Sequence, residues 1–298
     1  MTRESVEISS DEEALKKSEQ NRDKRERDKL YTYKHNFGVV EIHGTNLRKG
    51  LKAMSYLTDD IVQFYCAYLL NKVPPECSSR IHIFDSIFHG QLDKIFQNKL
   101  DSKKLKQLIN KWLNNIDIFD KNYLIFPVCQ DDHWFVIVVC YPSAVLDPES
   151  VESCISNTSS SGGDTSILRN GKQVPGIIVM DSLQRDKPLI TRQIRAFLDF
   201  AWREKLRGIK NFSYHNLKEY CPALPSQTNA FDCGVYMLAY IKCFIEQPER
   251  FYRQVRKDSD ESREVLKNKI ETCLKDTTRE AIHTLIKEQT VVQTDQSI

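Results

Sequence analysis

The charge of this 298-residue chain is nearly balanced: 43 Lys and Arg against 41 Asp and Glu leave a formal net charge of +2, too little for the broad cationic field that holds nucleic acid. With 40% hydrophobic and 28% charged positions the chain can bury a sizeable core, and its longest apolar run, Trp134 to Tyr141, is far short of the roughly 20 residues a membrane helix needs. Nine cysteines, an odd count with no C-x-x-C pair, argue for reduced thiols in the cytosol or nucleus and against a disulfide scaffold or zinc ribbon.

Residues 1–35 are crowded with charges of both signs and read as a solvated tail without the apolar segment of a secretion signal. Lys16-Lys17 and Lys24-Arg25-x-Arg27 could serve as a nuclear address, although the interleaved acids favour a self-paired helix or coil. The folded region is expected to begin near Phe37 and to open with helices. In LTDDIVQFYCAYLLNK, Thr58 can cap the first turn and Asp59 and Asp60 suit the positive helix end, while Ile61, Phe64, Tyr65, Tyr68 and Leu69 form an apolar stripe. Helical spacing recurs from Ile83 to Phe96 and from Leu105 to Leu113.

The period then changes. YLIFPV (123–128), WFVIVVC (134–140) and GIIVMD (176–181) are short, β-branched and almost continuously apolar, as strands buried on both faces are. The Ser-, Gly- and Pro-rich stretch at about 142–174 reads as an insertion between two strands, tolerable because loop closure costs rise slowly with length. Next come a helix from Ile190 to Leu206, a strand near Phe212, a loop from Tyr220 to Asp232, an apolar helix from Cys233 to Ile245 and a final helical stretch from Val265 to Ile286. Helices flanking a small central sheet give an α+β domain over 36–290, with 291–298 as a C-terminal tail.

Four residues at element boundaries have the chemistry of acyl transfer. Cys233 opens a helix, where the dipole favours a thiolate, although a free cysteine is equally at home in a core. His133 starts the strand HWFVIVVC and offers a base. Asp181 ends GIIVMD and can orient that base, or simply shape a turn. Gln227, six residues before Cys233, can donate to an oxyanion, as can the Cys233 backbone N–H. Cys129-x-x-x-His133 is the tightest metal-like spacing, but a lone pair cannot complete a tetrahedral zinc site, and no metal or cofactor is expected.

These residues lie in motifs that resemble the Ulp/sentrin-specific (SUMO-specific) cysteine proteases: D-H-W at 132–134, M-D-S-L at 180–183 and P-S-Q-T-N-A-F-D-C-G-V-Y at 225–236, with LTDDIVQFY and IHIFDSIF similar to two further family segments. The resemblance spans roughly residues 40–290 and implies a papain-like architecture with a small mixed sheet. It assigns His133 as general base, Asp181 as its orienter, Cys233 as nucleophile and Gln227 as oxyanion donor. It makes Trp134 a wall of the tunnel that admits the modifier's Gly-Gly, with Tyr56, Asp59 and Gly234 as further substrate-binding positions. Tyr56 stands where many members have Trp. The segments RIHIFDSIF, HWFVIVVCYP and IIVMDSL, together with the insertion, are most similar to the Ulp2-type branch, associated with trimming poly-SUMO chains. The expected partners are SUMO and SUMO-conjugated proteins, with no direct nucleic acid or membrane contact, and the expected state is a nuclear monomer with some cytoplasmic presence. The open alternatives are a protease for another ubiquitin-like modifier or for linear precursors, and a catalytically silent modifier-binding module.

Overall fold

A computed structural model describes residues 29–35, 38–97, 101–113, 116–145, 173–205, 208 and 210–295. Its centre is a five-stranded mixed sheet in the order β3 (Ile81–Ile83), β4 (Tyr123–Gln130), β5 (His133–Cys140), β6 (Gly176–Met180), β7 (Lys218–Tyr220). The three central strands pair antiparallel and the two edge strands pair parallel. All of β5 and β6 is buried, which explains their nearly unbroken apolar sequences.

Side chains alternate between two cores. Tyr123, Ile125, Trp134, Val136, Val138, Ile178 and Met180 face one, shared with α2 (Asp59–Lys72), α7 (Cys233–Glu246), α8 (Pro248–Lys257), α9 (Asp260–Asp276) and α10 (Arg279–Asp295). Leu124, Phe126, Phe135, Ile137, Val139, Ile177 and Val179 face the other, under α4 (Ile87–Gln97), α5 (Ser102–Leu113) and α6 (Pro188–Glu204). The short helices α1 (Gly44–Gly50) and α3 (Pro75–Ser78) are the remaining α-helices among the described residues. The strands and helices read from periodicity at 105–113, 123–128, 134–140, 176–181, 190–206 and 233–245 are present to within a few residues.

Several expectations need correction. Among the described residues the first element is not a helix near Phe37 but a hairpin, β1 (Lys29–His35) and β2 (Gly38–His43), so the charged tail cannot extend to residue 35. Tyr31 and Tyr33 alternate with outward-facing Leu30, Thr32 and Lys34 and pack with Val40 and Ile42 into the core, Tyr33 edge-on to Phe64 of α2 at 5.1 Å. Ile83 belongs to β3, and the Phe84 N–H donates to the Ile125 carbonyl at 2.8 Å, so the helix that follows starts only at Ile87. Phe212 is buried beside Phe119 and Trp202 but is not in a strand, which forms instead at 218–220. The last helical stretch breaks between α9 and α10, and α8 is an additional helix whose Phe251, Tyr252 and Val255 stripe is interrupted by charges. Thr58 sits at the N-cap of α2 without capping it: its hydroxyl donates at 2.6 Å to Asp60 Oδ1, which accepts the Ile61 N–H.

Residues 146–172 of the expected insertion lie outside the described residues. No helix among the described residues is long and apolar enough to cross a membrane.

Candidate active site

The site is built where β5 begins, β6 ends and α7 starts. Asp131 and Asp132, with φ of 51° and 58°, make a two-residue reverse turn between β4 and β5. Left-handed backbone at both turn positions matches the twist of a hairpin, and Asp tolerates it better than most side chains. The turn sets His133 as the first residue of β5, opposite Gln130. Met180 pairs with Val136, so the antiparallel register carried on by one residue brings Asp181 level with Phe135, diagonally next to His133.

The His133 Nε2–H donates to Asp181 Oδ1 at 2.6 Å. The ring's remaining nitrogen is left for the Cys233 thiol, which lies close enough to act on the imidazole. Cys233 is the first residue of α7, fully buried, with Asp232 at the N-cap. Its sulfur therefore lies at the positive end of a 14-residue helix. Three residues far apart in the chain thus form one carboxylate–imidazole–thiol sequence.

The electrostatics follow from the contacts. Burial alone would push the His133 imidazole down, but hydrogen bonds and charge from Asp181 and Cys233 outweigh it and raise it to about 9. Burial would raise the Asp181 carboxyl. The His133 ring, the Leu183 N–H and the Lys187 ammonium more than reverse that, holding it at about 2. The pair is therefore charged at neutral pH.

Gln227 is tied to the residue after Asp181. Its backbone N–H donates to the Ser182 carbonyl at 3.2 Å, and its side-chain Oε1 accepts the Ser182 hydroxyl at 2.5 Å. The Nε2 donates one hydrogen to the Asn229 carbonyl at 2.5 Å, which leaves its second hydrogen to serve another acceptor. Asn229 Oδ1 accepts the N–H groups of Phe231 and Asp232, shaping the loop that delivers Cys233. Arg279 on α10 donates to the Asp232 carboxylate and to the carbonyls of Phe231 (3.0 Å) and Ser55 (2.5 Å), joining this loop to the segment before α2.

Trp134, 2% exposed, donates its indole N–H to the Leu57 carbonyl at 3.0 Å and so holds the same segment. Tyr56 next to it is 44% exposed, and Asp59, also at the surface, accepts the Ser86 hydroxyl at 2.6 Å. Gly234 differs from its expectation. A Cβ there would lie 3.0 Å from Leu57 Cδ1 and Cγ, so the missing side chain makes room for Leu57, and Gly234 is buried rather than open to a substrate.

The sequence reading missed Ser182, Asn229, Lys187 and Arg279. Ser182 and Asn229 had a local signal, one following Asp181 and the other in a turn-forming N-A-F-D. Lys187 and Arg279 had none, because their partners come from other parts of the fold. Among the described residues no group of three or more His, Cys, Asp or Glu side chains is placed to hold a metal ion.

Residues 55–277 match the Ulp1 protease family, C-terminal catalytic domain. Sentrin-specific protease 7 of Homo sapiens is 29% identical over 238 residues, covering 66% of this chain and 23% of that protein. Probable ubiquitin-like-specific protease 2B of Arabidopsis thaliana is 29% identical over 208 residues (67% and 21%), and ubiquitin-like-specific protease 2 of Schizosaccharomyces pombe 27% over 224 (71% and 34%). The match thus spans between about a fifth and a third of these relatives' length. Among solved structures, a de-sumoylating protease superposes with a TM-score of 0.67 at 19% identity, covering 89% of this chain and 93% of that one. The SUMO protease Ulp1 with its catalytic cysteine oxidized to a sulfenic acid gives 0.52 at 15% identity, covering 95% and 96%. These two likenesses show the shared fold.

Proposed function

The chain belongs to the Ulp1 protease family, and from that premise we propose that it is a SUMO-specific cysteine isopeptidase that cleaves after the modifier's terminal Gly-Gly. The Asp181–His133 hydrogen bond with the Cys233 thiol beside the ring, its sulfur at a helix N-terminus, carries this reading. The Cys233 thiolate attacks the carbonyl of the modifier's last glycine. The resulting oxyanion is held by the free Nε2 hydrogen of Gln227 and the Cys233 backbone N–H. His133, charged and oriented by Asp181, gives its proton to the departing lysine amine, and water then resolves the thioester with His133 as base. Trp134 acts by fixing the Tyr56–Leu57 segment, whose Leu57 packs beside Gly234, with Tyr56 and Asp59 as the exposed positions that meet the modifier.

The finer reading, a preference for poly-SUMO chains, rests on the resemblance to the Ulp2-type branch, with which relatives named sentrin-specific protease 7 and ubiquitin-like-specific protease 2 are in keeping. Nuclear residence and a monomeric state go with it. The catalytic domain takes in all of α10 to Asp295, so the tail expected from residue 291 shrinks to the last few positions, and it carries the insertion at about 142–174.

The discriminating experiment offers the protein SUMO, ubiquitin and other modifier probes bearing a C-terminal electrophile. A covalent adduct with the SUMO probe at Cys233 is expected. An adduct with ubiquitin alone would overturn the substrate assignment, and binding without any adduct would indicate a silent module. Gln227→Ala is expected to lower kcat about 100- to 1,000-fold with KM nearly unchanged, as loss of one oxyanion donor does. An unaltered kcat would remove Gln227 from the mechanism.

A further inference from the structure

Asp181 has a second partner. Its Oδ1 is occupied by His133 and by the Leu183 N–H at 2.9 Å, while the buried Oδ2 accepts no hydrogen bond and is met by the Lys187 ammonium as an ion pair at 3.0 Å. Lys187 is not a loose surface lysine. Its side chain is 11% exposed against 2% for Asp181, and its ammonium lies 4.4 Å from the Phe135 ring centroid. That ring in turn stacks beside His133, centroids 6.1 Å apart and planes 23° from parallel. The turn from Asp181 to Gln184, closed by a 2.9 Å backbone hydrogen bond, folds the chain so that the residue preceding α6 returns to the end of β6.

We infer that Lys187 is a positioning residue that grips the far oxygen of Asp181 and shares its charge with His133, so that the imidazolium remains a competent acid. The inference rests on the catalytic reading of Asp181, His133 and Cys233. A carboxylate paired with imidazolium alone holds the ring's proton too firmly, and a cation on the other oxygen draws off part of that field. Among the described residues, the other groups that act on the titratable members of this site are acidic or neutral. Cys233 and the Tyr240 hydroxyl come from α7, the latter donating to the Pro225 carbonyl. Cys129 comes from β4, with Asp131 and Asp132 of the β4–β5 turn and Asp59 of α2 around it. Besides His133, Lys187 is the cation that meets the Asp181 carboxylate, on the oxygen that the imidazole does not use.

The test is the pH dependence of two rates in the full chain: alkylation of Cys233 by iodoacetamide, followed by mass spectrometry of its peptide, and cleavage of a SUMO conjugate. The wild-type alkaline limb is expected near 9, where His133 loses its proton. Lys187→Met is expected to move that limb upward by about one pH unit and to lower kcat about 3- to 10-fold with KM within about twofold. Lys187→Arg, which keeps the charge, is expected to restore the limb. A Met-variant profile superimposable on wild type, or an Arg variant shifted as far as Met, overturns the inference. If Lys187→Met does not fold, Lys187→Gln is read by the same criteria. Alkylation needs no modifier, so a shifted limb without SUMO cleavage supports the role of Lys187 while rejecting the substrate assignment.

Discussion

Cys233→Ala is expected to abolish cleavage of SUMO conjugates, a fall of about 10⁵-fold or more, while modifier binding is retained or tightened. The sulfur is the atom that becomes covalently bonded, and removing the nucleophile of such a unit costs about as much as removing the unit. Orientation by Asp181 and the oxyanion donors have nothing to act on without it. Recognition should survive, because specificity for a folded modifier needs a wide surface, whereas Cys233 is fully buried at the start of α7. Turnover and Kd measured on the same preparation separate the two effects. Full activity in the variant would reject the proposed nucleophile, and loss of binding would mean that the sulfur itself helps to hold the modifier.

The second large effect is expected from Asp181→Asn, a fall in kcat of about 10³- to 10⁴-fold. An asparagine could in principle accept the His133 N–H and keep the ring in place. Here it cannot satisfy its surroundings. Two N–H donors and an ion-pair partner converge on the carboxylate: His133 Nε2–H, the Leu183 N–H and the Lys187 ammonium. An amide has one acceptor oxygen, so either its NH₂ meets the imidazole and favours the wrong tautomer, or it meets the ammonium and leaves a nearly buried cation unpaired. The same change has a pH signature in stability. Asp181 is held at about 2, below its ordinary 3.8, so its contribution is complete above about pH 4 and is lost as pH falls through 2. His133 is raised from 6.5 to about 9, so its contribution is complete below 6.5 and is lost as pH rises through 9. The difference in Tm between wild type and Asp181→Asn is therefore expected to be greatest between about pH 4 and 6.5 and to shrink on either side. A difference independent of pH would show that Asp181 contributes through packing alone.

The central elements were legible because their burial is written into one period at a time. β4, β5 and β6 are covered on both faces, so their sequences are almost unbroken apolar runs, and α7 is apolar nearly all round because it lies between other elements. The hairpin at 29–43 was hidden because its alternation is short and interrupted by lysines, and Phe212 was misread because a buried aromatic in a loop has the same composition as a strand residue. Gly234 was misread for a different cause: what occupies the space beside a glycine is a neighbour 177 positions away at Leu57, which no local pattern contains.

What the sequence determined by itself is therefore local: a histidine at a strand's first position, an aspartate just past another strand's last, a cysteine opening an apolar helix and a glutamine in the loop before it. Side-chain chemistry and hydrophobic period depend on near neighbours and can be read along the chain. Only the tertiary structure decided which oxygen of Asp181 meets His133 and which meets Lys187, that Ser182 holds the Gln227 amide, and that Arg279 ties the Cys233 loop to Ser55. Those contacts join residues brought together by sheet register and helix packing. Hydrogen bonds act over about 3 Å and carry no trace of sequence distance.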